Sequence, residues 1–214
     1  MKAAFTLVKN LCLAPDALPQ YYFDIETVPL DEYRSDAGAS FDPCKAKIIS
    51  IQYQKLDSAA GGQNELVILK EWEPGSSERA IVEQFKKVFI DKGIWEFVPV
   101  SNNLAFECRF MKYKLKQYCS LDGLKLGHRP MIDLKHVLII ANKGSFKGYQ
   151  RFLGKSGQAA NMAQWYYDKN WSAIEQYIRK ESEDFGNMYL ILNQELPRMM
   201  QFVDSYHIRG SWNV

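Results

Sequence analysis

The amino-acid sequence predicts an α/β domain. Two observations support this class: short segments rich in aromatic and β-branched residues recur up to residue 100, and segments with apolar residues at helical spacing lie between and after them. The coarse order is βββαβα, with further helices after it. A chain of 214 residues with 13 Gly and 8 Pro suits one globular domain, and no internal repeat or linker divides it.

Three strands are predicted in the first third of the chain. Residues 21–27 (YYFDIET) and 48–53 (IISIQY) have the aromatic and β-branched composition of strands. A hairpin turn at residues 59–63 (AAGGQ) precedes a third such segment at residues 65–69 (ELVIL). The front of the domain is therefore predicted to be a β-meander.

A helix, a strand and a second helix are predicted next. Ser76 and Ser77 are suited to cap a helix over residues 80–92, where apolar residues recur at helical spacing. Residues 97–100 (FVPV) predict a short buried strand, and residues 104–118 predict an amphipathic helix that leaves its end.

Composition excludes several classes of protein. The 27 Lys and Arg nearly cancel the 25 Asp and Glu, so a polyanion would have to meet a local patch or a metal ion. Four Cys and three His show no zinc-site spacing and no disulfide framework. No run approaches the roughly 20 apolar residues of a membrane span, so we expect no membrane partner and a cytoplasmic protein.

A Gly- and Lys-rich stretch at residues 143–158 interleaves cations with aromatic residues. Such a pattern is found in nucleic-acid-binding segments, because cations meet phosphates and rings stack on bases. It is equally typical of a solvated loop with anchoring aromatic residues, and the two interpretations stay open here.

Two carboxylates lie at the end of the first predicted strand. Asp24 and Glu26 are two residues apart, so both side chains point to the same side of the pleat. Their hard oxygen ligands suit Mg²⁺ or Mn²⁺. An Asp-x-Glu pair also arises by chance in a chain with 25 acidic residues, so its position has to support the assignment.

Glu107 is a second candidate acid. It follows the predicted strand at residues 97–100 and lies at the start of the next helix. Ligands of α/β sheets commonly bind at such carboxyl ends of strands. Alternatively, the helix macrodipole stabilises an acid in this position without any functional role.

A third group lies on a long helix that Ser172 is predicted to cap and that runs from residue 173 to residue 192. Tyr177, Glu181 and Asp184 are spaced i, i+4 and i+7 and share one face of this helix. A solvated helix does not normally place a Tyr and two acids beside its apolar stripe.

The order of these motifs resembles a known family. The series YYFDIETVP, IISIQY, NLAFE, MIDL and YIRKE is similar to the tyrosine branch of the DEDD superfamily of 3′ to 5′ exonucleases, and most of all to predicted exonucleases related to the proofreading domain of B-family DNA polymerases. The resemblance implies a ribonuclease H-like fold with a mixed five-stranded sheet flanked by helices. It covers residues 21–196, between an N-terminal extension at 1–20 and a C-terminal tail at 197–214.

The resemblance also implies roles for individual residues. Asp24 and Glu26 match the first metal-binding acids, and Thr27 matches the position where the backbone meets the terminal nucleotide. Asn103 and Phe106 match the substrate-binding residues of the second motif. The remaining matches are Glu107 as a metal ligand, Tyr177 as the residue that orients the attacking water, and Glu181 as the last metal ligand.

Two positions depart from the family pattern. Glu107 and Glu181 stand where the family has Asp, and each side chain is one methylene longer. Mg²⁺ requires near-ideal octahedral geometry, so this change bears directly on activity. Asp184 is an alternative last ligand, but it lies seven rather than four residues after Tyr177, and the spacing favours Glu181.

The resemblance implies a metal-dependent 3′ to 5′ exonuclease that hydrolyses single-stranded nucleic acid with a free 3′ end, with DNA favoured over RNA. Two Mg²⁺ or Mn²⁺ ions about 3.5–4 Å apart would activate a water and stabilise the leaving oxygen. The alternative is a catalytically degenerate nuclease-like fold that serves as a nucleic-acid-binding or interaction module. The two Asp-to-Glu departures motivate this alternative.

Overall fold

The computed structural model describes residues 18–56, 64–122, 126–147 and 158–207. Five strands and five α-helices make up this part of the chain. The strands are β1 (Gln20–Pro29), β2 (Ala46–Lys55), β3 (Val67–Lys70), β4 (Val98–Ser101) and β5 (Ile132–Asp133). The helices are α1 (Glu78–Phe89), α2 (Leu104–Cys119), α3 (Leu134–Ala141), α4 (Met162–Tyr167) and α5 (Trp171–His207).

The five strands form one mixed sheet with the order β3-β2-β1-β4-β5. β1 and β3 are antiparallel to β2, whereas β4 is parallel to both β1 and β5. The predicted α/β class, with a mixed five-stranded sheet flanked by helices, is thereby confirmed. The predicted order βββαβα is also confirmed, and β5 and three helices follow it.

The predicted strands lie at or near the observed ones. β1 and β2 extend the predicted segments at both ends, and β3 begins at Val67, two residues later than predicted. The predicted turn at residues 59–63 lies outside the described residues. The pairing of β1 with β2 shifts register between Glu26 and Thr27, where Ile49 of β2 is the extra residue of a β-bulge.

The two faces of β1 contact different halves of the core. Phe23 and Ile25 pack among apolar residues of α1 and α2. Tyr22 points the other way and packs against Phe185 of α5, with ring centroids 4.7 Å apart. Asp24 and Glu26 lie two and four residues after Tyr22, so the pleat places them on the α5 side of the sheet.

The caps of α1 and α5 differ in how well the sequence predicted them. Ser77 caps α1, because its hydroxyl accepts a hydrogen bond of 3.2 Å from the Ala80 amide. The prediction that Ser172 caps α5 is wrong. Asn170 does so, accepting from the Ala173 amide at 3.3 Å, while the Ser172 hydroxyl lies inside the first turn and accepts from Gln176.

Helix α5 is also longer than predicted. It runs to His207 rather than ending at residue 192, and it passes through residue 196, where the predicted domain ends. The limits of the domain stay predictions. Of the Gly- and Lys-rich stretch at 143–158, residues 148–157 lie outside the described residues. Within the described chain, no helix is both long and apolar enough to cross a membrane.

Candidate active site

A cavity of about 600 Å³ opens at the carboxyl ends of β1 and β4, and we call it the carboxylate cavity. The site residues named from the sequence lie on β1, in the turn after β4, in the first turn of α2 and on α5. All eight site residues named from the sequence line this one cavity, namely Asp24, Glu26, Thr27, Asn103, Phe106, Glu107, Tyr177 and Glu181.

Three carboxylates meet in this cavity. Asp24, Glu26 and Glu181 each have an oxygen within 4.8 Å of the other two. Glu26 is buried, whereas Asp24 and Glu181 are half-buried. At an effective dielectric constant of 20, two ionised carboxylates at this separation repel each other by about 3.5 kcal/mol. A divalent cation bound between them would remove this repulsion.

Asp184, the alternative last ligand, does not line the cavity. Its carboxylate accepts a hydrogen bond from Lys180 one turn earlier on α5. Glu181 faces the cavity instead, since it lies one turn after Tyr177, which also lines it. Of the two candidates, the structure therefore brings Glu181 to the other acids.

Glu107 lies in the first turn of α2 and is only 3% exposed. It lines the same cavity but is not a member of the group of three whose oxygens lie within 4.8 Å of one another. The macrodipole of α2 favours a carboxylate at this helix start. Both interpretations of Glu107 are compatible with this position.

Asn103 forms the turn between β4 and α2. Its backbone is left-handed, with φ of 79°, a conformation that Asn tolerates better than most residues. Its amide donates to Asp133 at 2.9 Å, and its side-chain oxygen accepts from Lys135 at 2.7 Å. These contacts hold Asn103 to β5 and α3 at the wall of the cavity.

Thr27 and Phe106 are held by the irregular segment between β1 and β2. The Thr27 hydroxyl donates to the Ser40 carbonyl at 2.8 Å. The ring of Phe106 meets that of Phe41 edge-on, with centroids 6.1 Å apart. Phe41 is 65% exposed and lines the cavity, so an aromatic surface lies at the edge of the acidic site.

Neutral donors reach the three carboxylates. Tyr22 donates to Asp24 at 3.2 Å, and the Gln52 amide donates to Glu26 at 3.4 Å. Tyr177 donates to Glu181. None of these three donors brings a positive charge to the acids.

The surroundings of both tyrosines favour the protonated phenol. Burial, followed by the negative charges of Glu26 and Glu181, raises the pKa of Tyr177 above its usual range. Burial and then the charge of Asp24 raise the pKa of Tyr22 well above its usual value. Tyr177 therefore keeps its proton and acts on its neighbours as a hydrogen-bond donor.

Sequence reasoning missed Tyr22, Gln52 and Phe41. Tyr22 could have been found, because it lies two residues before Asp24 on the same strand and so shares its face. Gln52 pairs with Asp24 across β1 and β2, and only the observed register reveals this. No signal in the sequence distinguishes Phe41 from other aromatic residues.

The donor set fits a hard divalent cation. Carboxylate oxygens are the ligands that Mg²⁺ and Mn²⁺ prefer. Ligand oxygens about 2.1 Å from an octahedral ion lie about 3.0 Å apart at right angles and about 4.2 Å apart across it, so the three carboxylates would draw together around a bound ion. Compared with models of known protein families and with curated proteins, the chain matches none.

Proposed function

We propose that the protein is a metal-dependent 3′ to 5′ exonuclease of the DEDD superfamily, with a ribonuclease H-like fold, that acts on single-stranded nucleic acid. One observation supports the proposal above others. The eight residues named by the resemblance come from three separate segments of the chain, and all line one cavity. DNA is favoured over RNA as the substrate, and a cytoplasmic location stays a prediction.

Asp24, Glu26 and Glu181 would hold the metal, and Glu107 lines the same cavity. A bound Mg²⁺ or Mn²⁺ supplies a water of lowered pKa and neutralises charge on the scissile phosphate. The neutral donors Tyr22 and Gln52 hold the acids of the sheet in place. Ligand orientation set by such hydrogen bonds is a general property of metal sites.

Tyr177 acts by position rather than by removing a proton. Its hydroxyl donates to Glu181, and its raised pKa keeps the phenol neutral. A neutral phenol can orient an attacking water without competing for the metal. The exposed ring of Phe41 and the neighbouring Phe106 offer flat surfaces for an unpaired base, since stacking on aromatic side chains is common in single-strand recognition.

The position of Glu107 favours an alternative in which the chain binds a cation but does not cleave nucleic acid. Because this acid lies outside the group of three, the cavity could bind a cation and yet lack the fourth ligand needed for efficient turnover. The chain would then be a catalytically degenerate module that binds nucleic acid or another partner.

The test is digestion of a 5′-labelled single strand in the presence of Mn²⁺. We expect a ladder of products that shorten one nucleotide at a time, no cleavage of a circular single strand, and no cleavage in EDTA. The Glu181→Gln variant should lose activity. Asp184→Asn is the matched control, because Asp184 lies on the same helix and does not line the cavity.

Two results would contradict the proposal. Equal activity in Glu181→Gln and the wild type would show that Glu181 is not a metal ligand needed for cleavage. Binding of Mn²⁺ by calorimetry, together with no cleavage of either strand, would favour the degenerate module.

A further inference from the structure

A second cavity, of about 610 Å³, lies next to the carboxylate cavity. Its walls combine large aromatic side chains with cations and acids, and we call it the aromatic cavity. The side chains that define it are Arg34, Trp72, Tyr166, Tyr167, Lys169 and Trp171. None of them belongs to the proposed exonuclease site.

One short helix, α4, contributes residues to both cavities. Met162 and Ala163, at the start of α4, line the carboxylate cavity, whereas Tyr166 and Tyr167, at its end, line the aromatic cavity. The six residues of α4 span about 9 Å. At the stacked spacing of about 3.4 Å per nucleotide, this length corresponds to about three nucleotides of one strand.

The aromatic cavity offers rigid flat surfaces. The rings of Trp72 and Trp171 stack with centroids 5.3 Å apart and planes 8° from parallel. Tyr166 meets Trp171 edge-on at 5.4 Å and so braces the stack. Aromatic surfaces of this kind bind unpaired bases with little sequence preference, because every base has a π-face.

Cations lie beside these rings. The Arg34 guanidinium is 3.2 Å from the centroid of the Tyr167 ring, and its side chain is half exposed while it pairs with Asp31. Lys169 is exposed, and no ion pair involves it among the residues that the structure describes. A guanidinium plane can stack on a base, and an exposed ammonium group can meet a phosphate.

Lys47 has a different role in the same wall. It contacts both Glu71, at 3.1 Å, and the Tyr166 hydroxyl, at 2.5 Å, and that hydroxyl donates to Glu71 at 2.6 Å. This closed set of contacts holds Tyr166 in place. The cations left to face a ligand are therefore Arg34 and Lys169, and the exposed acids Asp31 and Glu73 lie at the same cavity.

We infer that the aromatic cavity is a second subsite for single-stranded nucleic acid. It would hold an unpaired nucleotide about three positions on the 5′ side of the end that occupies the carboxylate cavity. The nature of this ligand rests on the proposed function, whereas the subsite itself rests on the stacked tryptophans, the two cations and the helix α4 that lines both cavities.

The test is binding of 5′-fluorescein-labelled dT3 and dT12, measured by anisotropy in EDTA so that no strand is cut. We expect the wild type to bind dT12 at least about tenfold more tightly than dT3, since one further stacked base adds roughly that factor. In Trp72→Ala this ratio should fall below about threefold, while binding of dT3 stays unchanged. Trp95→Ala, which removes an exposed Trp beyond α1, is the matched control.

A second variant does not depend on packing inside the cavity. Lys169→Glu should weaken binding of dT12 and reduce the slope of log affinity against log salt by about 0.7 for each phosphate that the protein no longer neutralises. Lys92→Glu, at another exposed lysine, should leave the slope unchanged. If Trp72→Ala fails to fold, this pair of variants decides the question.

The inference fails if both cavity variants bind dT12 with wild-type affinity and salt slope, or if the wild type binds dT3 and dT12 equally. The proposed function is judged separately, by cleavage in Mn²⁺. Length-dependent binding without cleavage would keep the subsite and contradict the exonuclease. Cleavage in Mn²⁺, with no effect of Trp72→Ala or Lys169→Glu on binding, would support the exonuclease and contradict the subsite.

Discussion

Two regions of the molecule bury carboxylates and treat them differently. On the side of the sheet covered by α1 and α2, Glu78 forms an ion pair of 2.9 Å with Lys114 and accepts from the Ile48 amide and the Tyr118 hydroxyl. Lys114 also donates to the Ala46 carbonyl. This carboxylate has its countercharge from the chain, and its contacts join α1, α2 and β2.

On the side covered by α5, three carboxylates come within 4.8 Å of one another, and Tyr22, Gln52 and Tyr177 donate to them without bringing positive charge. The partners of a buried acid therefore indicate its role. Glu78 with its lysine joins the elements of the fold, whereas three acids this close to one another suit a divalent cation.

The largest expected effect is on catalysis. Asp24→Asn should reduce nuclease activity by at least about 1000-fold, because it removes a charge from the group that holds the metal. The free energy of unfolding in EDTA should stay equal or rise, since one source of repulsion is removed. Steady-state kinetics and urea denaturation check the two parts. A stability loss as large as the one expected below for Lys114→Met would contradict the comparison.

A variant on the other side of the sheet should affect stability instead of catalysis. Lys114→Met leaves Glu78 buried without its ion pair and should lower the free energy of unfolding by about 3–5 kcal/mol. Urea denaturation measures this change in the free energy of unfolding. Lys116→Met is the matched control on the same helix, because its pair with Asp122 is exposed and should matter by less than about 1 kcal/mol. Equal effects of the two variants would show that burial of the pair is unimportant.

Cation binding gives a readout that does not need turnover. Mn²⁺ at 100 times its dissociation constant should stabilise the wild type by about 2.7 kcal/mol and raise Tm by about 5–10 °C. Asp24→Asn should show no such shift, whereas Asp184→Asn should show the full one. Differential scanning fluorimetry is the measurement, and an equal shift in both variants would place the cation elsewhere.

The Tyr177→Phe variant tests the orientation of the reacting groups without changing the charge of the carboxylates. We expect kcat to fall about 10- to 100-fold, because the hydroxyl that positions Glu181 is removed while all acids remain. The Tm shift with Mn²⁺ should be retained. Loss of that shift would mean that Tyr177 supports metal binding itself rather than the orientation of the reacting groups.

The smallest effect concerns alkaline pH. Burial, then the hydrogen bond to Glu78 and its charge, raises the pKa of Tyr118 above the value of about 10 expected in the unfolded chain. This stabilising contribution is present below pH 10 and is lost as pH rises toward the folded pKa. The free energy of unfolding should therefore fall less steeply above pH 10 in Tyr118→Phe than in the wild type. Parallel curves for the two proteins would contradict this.

Some features of the site could be predicted from local pattern alone. Asp24 and Glu26 share a face because the period of a strand is two, and Tyr177 and Glu181 share one because they are a helical turn apart. The same local rules chose Glu181 over Asp184, in agreement with the lining of the cavity. The cap of α5 was mispredicted because both Asn170 and Ser172 are good cap residues, and only the backbone decides where the helix begins.

The class of the fold and the set of available acids thus follow from the sequence, since alternation, helical spacing and capping act over a few residues. Tertiary packing was needed to bring Glu181 of α5 to Glu26 of β1, to leave Glu107 outside this group, and to make Gln52 the donor to Glu26. It also stacked Trp72 on Trp171 beside the site. These contacts join segments far apart in the chain, and their geometry depends on strand register and helix packing, which no local pattern specifies.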